Sequence, residues 1–137
     1  MRENGLLDVP DDLVKASIAL GAGLGFSRLT CGALAGGGLA LGYRFGRKDL
    51  KRGRKPAWSR MARLVERFTE RFGTASCEEI TKAFKVTEFS SRERIGLCIG
   101  VIDFVTTETA RLLDDPDDDF RDTERQSYFD LRESGDR

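Results

Sequence analysis

The side chains with the widest chemistry in this chain are three thiols, Cys31, Cys77 and Cys98. A thiolate is a nucleophile, exchanges with disulfides and ligates soft metals. Histidine is absent. That removes the commonest metal ligand, the commonest general base and the usual axial haem ligand. It excludes His-based catalytic triads and HExxH zinc sites. Three cysteines in 137 residues are too few for a disulfide scaffold, and a chain of this length buries its own core. The odd count fits reduced thiols, a metal site, or one redox pair with a third thiol beside it.

Cys31 stands in a run of small residues from Thr30 to Gly42 that includes Gly32, Gly36, Gly37, Gly38 and Gly42. The spacing predicts a helix from about Thr30 to Phe45 with Cys31, Leu34, Gly38, Leu41 and Phe45 on one face. Each helical glycine costs about 1 kcal/mol against alanine. The helix therefore needs a compensating close contact, expected as a tight crossing at the Cys31 face. Gly32 with Gly36, and Gly38 with Gly42, give it a small-xxx-small spacing. A segment that is partly loop is the alternative.

Cys77 follows Ser76 in Ser76-Cys77-Glu78-Glu79, a capping box. In the first turn of a short helix the dipole favours thiolate, while Glu78 and Glu79 oppose it, so the direction stays open. Cys77, Ile80 and Phe84 share its apolar face. Cys98 lies between Gly96 and Gly100 on the stripe Ile95, Cys98, Ile102, Val105, Thr109 and Leu112. That stripe predicts a helix from about Ser91 to Leu113, opened by a second capping box of Ser90 and Glu93. Each thiol is thus on the apolar face of its own helix. Core filling is the competing reading, because free cysteine packs as a small hydrophobe.

The elements that must position these thiols follow from the remaining pattern. Met1 to Val9 is expected to be loose, with Asp8 near the N-cap of a helix from about Asp11 to Ala22. Gly21, Gly23 and Gly25 close that helix in a turn. A basic connector (Arg44, Arg47, Lys48, Lys51, Arg52, Arg54 and Lys55) reads as a solvated linker, with a patch for phosphate, nucleic acid or an acidic partner as the alternative. Pro56 opens a helix over Ala57 to Phe72 whose core stripe is Trp58, Met61, Val65, Phe68 and Phe72 beside Leu64. Arg60, Arg63 and Arg67 occupy its outer faces, with Arg63–Glu66 and Arg67–Glu70 as i, i+3 ion pairs. Gly73 is a C-terminal stop.

The expected fold is all-α, a small bundle of four to five helices. Residues 1–113 are expected to form one domain, and the acidic segment 114–137 a disordered tail. Charge balances at 23 basic and 23 acidic residues, which gives no support to a nucleic-acid binder. No apolar run reaches the roughly 20 residues that span a bilayer, and the N-terminus opens no signal peptide. A cytoplasmic location is the expectation.

Thr30-Cys31-Gly32-Ala33-Leu34-Ala35-Gly36 resembles the CGAxxG signature of the C-GCAxxG-C-C family of redox-active proteins. The glycine-rich turn at residues 21–25 precedes it, and Cys77 and Cys98 follow in the family's order. The resemblance spans roughly Asp11 to Cys98. It implies a small helical protein with cysteine-based redox or metal chemistry. The family carries a further cysteine on a helix upstream of the motif. No cysteine precedes Cys31 here, and the chain is expected to begin after that helix.

Cys31, Cys77 and Cys98 are therefore the candidate catalytic residues, with Cys77 and Cys98 the preferred redox pair. The same three are the candidate ligands of zinc or an iron–sulfur cluster, completed by water, a carboxylate or a partner's thiolate. An interaction protein with core cysteines is the third alternative. A redox partner protein and a helix-mediated homodimer are the partners this reading allows.

Overall fold

The computed structural model describes Gly5 and residues 7–49 and 55–115. Among them are five helices and no strand: α1 (Asp11–Ser17), α2 (Gly32–Phe45), α3 (Lys55–Phe72), α4 (Cys77–Ile80) and α5 (Arg92–Asp114). The architecture is the expected all-α bundle. Part of the basic connector (residues 50–54) and the acidic tail from residue 116 lie outside the described residues.

The core is where α2, α3 and α5 meet. Leu34 and Leu41 of α2, Leu64 and Phe68 of α3, and Val101, Val105 and Leu112 of α5 form one buried cluster with Cys31. Phe68, Phe72 and Phe104 extend it as tilted and edge-on aromatic contacts. Despite its five glycines α2 is an unbroken helix, so the partly looped alternative does not hold. The close approach comes at Gly37, where a Cβ would lie 2.7 Å from Leu64 and 2.9 Å from both Val105 and Thr109. Gly38 similarly accommodates the Met61 sulfur, whereas nothing lies within 4 Å of a Cβ at Gly36 or Gly42. The small-xxx-small pairs are thus not what brings the helices together; single glycines facing bulky neighbours are.

Several expected boundaries shift for local reasons. The first helix ends at Ser17 and tightens into a 3₁₀ turn over Ile18–Leu20, well short of Ala22. Beyond it Ala22, Gly23, Leu24, Gly25, Phe26 and Arg28 all take positive φ, which no right-handed helix can absorb. Pro10, not Asp8, is the N-cap of α1. Leu7, expected to be loose, is buried. Ser91 rather than Ser90 caps α5, accepting from the Arg94 N–H. At α4 the Ser76 hydroxyl accepts from the Glu79 N–H, but the Ser76 N–H is taken by Thr74 Oγ1, so the box has only one of its two bonds.

Three faces also turn out differently. Trp58 is largely exposed, and Arg60 is buried in its place near the start of α3. The Arg60 guanidinium donates to the Leu112 and Asp115 carbonyls and stacks 3.9 Å from the Phe45 ring centre. It so supplies donors to the open end of α5. Arg67 pairs with Glu108 and Arg63 with Asp115, both across to the end of α5. In α5 the buried positions are Arg94, Val101, Val105, Glu108, Thr109 and Leu112, whereas Ile95 and Ile102 are exposed. The first half of that helix lies beside a cleft, not within the core.

Candidate functional site

The chain approaches the site from two directions, and a short backbone pairing joins them. Thr30 and Ser76 form an isolated antiparallel bridge. The Cys31 N–H donates to the Ala75 carbonyl at 2.8 Å, and the Cys77 N–H to the Leu29 carbonyl at 2.6 Å. Glu78 adds a third bond, to the Arg28 carbonyl at 3.0 Å. These bonds satisfy donors at the start of α4 and fix the chain entering α2 against it. In this register Cys31 and Cys77 are diagonal neighbours on one face.

Two glycines let the backbone come this close. A Cβ on Gly32 would fall onto the Leu20 carbonyl oxygen, and one on Gly23 would meet the Cys77 Cβ. The glycine following the motif cysteine is therefore a steric requirement of the turn that lies over it.

All three thiols line one cleft of about 350 Å³. Cys31 enters as the N-cap of α2, Cys77 as the first residue of α4, and Cys98 from the second turn of α5. Cys31 and Cys77 are each 8% exposed, and Cys98 is more open. The three are free thiols. The remaining walls are Ser17, Ile18, Leu20, Gly21 and Ala22 on one side, Gly32, Ala33 and Gly36 on a second, and Ile80, Val101 and Ile102 on a third. None of these carries a charge.

Electrostatics single out Cys77. Burial pushes its thiol above the ordinary value of 9.0, Cys31 and Cys98 push the same way, and Arg94 and Arg28 pull against them. The direction left open by the capped helix start is thus upward, and the cause is desolvation rather than Glu78 or Glu79. Arg94 is buried, donates to the Phe89 carbonyl and stacks on the Phe89 ring. Arg28 lies 3.6 Å from Glu78. Neither arginine was legible as part of the site, because each is placed by the left-handed stretch or by the turn before α5.

A metal centre needs ligands aimed at one point. Among the described residues no group of three or more Cys, Asp or Glu side chains is placed to hold a metal ion. The three thiols share one cleft. Among the same residues no helix is long and apolar enough to cross a membrane.

No curated protein and no solved structure matches the chain. A family model described as "Putative redox-active protein (C_GCAxxG_C_C)" matches residues 3–112. The match takes in the motif cysteine, both later cysteines and every element that shapes the cleft. The chain belongs to the C-GCAxxG-C-C redox-active protein family.

Proposed function

We propose that the protein is a thiol–disulfide redox protein whose working pair is Cys77 and Cys98, with Cys31 as a third thiol beside them. One observation carries this reading: cysteines from three separate elements line a single cleft that holds no carboxylate, amine or guanidinium. Family membership supports redox chemistry of some kind. A reducing, cytoplasmic compartment, where unbridged thiols persist, suits it.

The chemistry follows from exposure. Cys98 is the most open of the three and meets a disulfide arriving from solvent. Its thiolate attacks one substrate sulfur, forms a mixed disulfide and expels the first thiolate, which takes up a proton. Cys77 then gives up its own proton and attacks the Cys98 sulfur, releasing the second substrate thiol. The substrate gains two electrons and two protons, and the protein keeps a Cys77–Cys98 disulfide. Because burial raises the Cys77 pKa, little thiolate is present at neutral pH, and the second step is the slower of the two.

Thiol counting tests this. The reduced protein is equilibrated with a mild disulfide oxidant, and free thiols are titrated after unfolding. The count falls from three to one, and Cys31→Ser still loses two. Three thiols persisting, or a loss that Cys77→Ser and Cys98→Ser leave untouched, contradicts the reading.

A further inference from the structure

We infer that the cleft selects low-molecular-weight disulfides that carry no charge; this rests on the thiol–disulfide reading above. The walls facing the three sulfurs include Leu20, Ile80, Val101 and Ile102, and no carboxylate, amine or guanidinium side chain lines them. The mouth is apolar as well: Ile18 is 84% exposed and Ile102 is 52% exposed. A charged disulfide entering here loses hydration and gains no counter-charge.

The nearest cations, Arg28 and Arg94, act on Cys77 from outside and do not line the cleft. Arg28 is held near the Glu78 carboxylate, and Arg94 is committed to the Phe89 carbonyl and ring. Both line a separate small pocket with Phe26 and Phe89. Size points the same way as charge. A volume of about 350 Å³ falls at the lower end of small-molecule sites.

A charge series on a similar skeleton tests the inference. Hydroxyethyl disulfide is neutral, cystamine is dicationic and dithiodipropionate is dianionic. Each oxidation rate of the reduced protein is divided by the rate at which the same reagent oxidises a free small thiol. The normalised rate for the neutral compound exceeds both charged ones by about tenfold. Ile18→Lys at the exposed mouth then raises the dianion relative to the dication, and Ile18→Asp does the reverse. Equal normalised rates, or a preference for one charge that neither Ile18 variant moves, overturn the selectivity. If none of the three reagents oxidises the protein, the thiol–disulfide reading itself falls, and the selectivity with it.

Discussion

Gly23 and Cys77 share space that admits no further atom: a Cβ at Gly23 would lie 2.7 Å from the Cys77 Cβ and 2.8 Å from the Arg28 Cα. Gly23 also has a φ of +74°. Gly23→Ala therefore combines a left-handed alanine, about 1–2 kcal/mol, with overpacking of about 1–3 kcal/mol. Gly73 has the same φ but nothing within 4 Å of a Cβ. Gly73→Ala should cost only the backbone part, about 1–2 kcal/mol. Urea unfolding of the two variants isolates the packing contribution under Cys77. Equal losses would mean that Gly23 serves the turn alone.

The glycines of α2 divide in the same manner. Gly37→Ala places a methyl against Leu64, Val105 and Thr109 and should destabilise by about 1–3 kcal/mol. Gly42→Ala meets open space in the same helix and should stabilise by about 1 kcal/mol through helix propensity. Opposite signs in thermal melts are the expected outcome. A loss at both positions would restore the small-xxx-small crossing that the packing argues against.

A buried hydroxyl gives an independent check on that contact. Thr109 is fully buried, and its Oγ1 has no hydrogen-bond partner among the described residues. Thr109→Val keeps the shape and removes the unsatisfied group, so it should stabilise by about 1 kcal/mol. A clear loss in urea unfolding would show that the hydroxyl is satisfied in solution.

Because Cys77 is raised by burial and by its two neighbouring thiols, its alkylation by iodoacetamide should reach half-maximum above pH 9.0. Cys31→Ser removes one of those causes and should move the midpoint down. The same shift fixes a stability trend. Above pH 9.0 the unfolded thiol has lost its proton while the folded one keeps it, so the unfolded state binds fewer protons. This contribution is complete below pH 9.0 and is lost as pH climbs through the raised folded value. Alkylation of Cys77 with a midpoint below pH 9.0 would contradict the site's desolvation.

Much of the scaffold was legible because its signals are local. The stripe from Met61 to Phe72, the stop at Gly73 and the Ser76 cap place α3 and the start of α4 within a residue or two, although α4 ends at Ile80 and does not reach Phe84. The thiols themselves were found as the only soft nucleophiles, and the CGAxxG pattern gave the family. What joins them was not legible. Ala22, Leu24, Phe26 and Arg28 take positive φ without being glycine, a choice imposed by packing over Gly32 and Cys77 and not by propensity. The Thr30–Ser76 bridge pairs residues far apart in sequence, which no helical period announces. Ile95 and Ile102 satisfy the period of α5 yet face outward. Period gives a helix its stripe but not the length over which neighbours cover it. Arg60 and Arg94 looked like solvent-facing charges, and only the carbonyls and aromatic rings around them make burial tolerable.

The most direct test of the central claim is a redox titration of the purified protein in a graded dithiol–disulfide buffer, read by the fraction of Cys77 and Cys98 found in one cross-linked peptide pair. The account predicts a single reversible two-electron transition, with a slope of about 30 mV per decade, retained in Cys31→Ser and lost in Cys77→Ser. No transition, or one that survives the loss of Cys77, would contradict it.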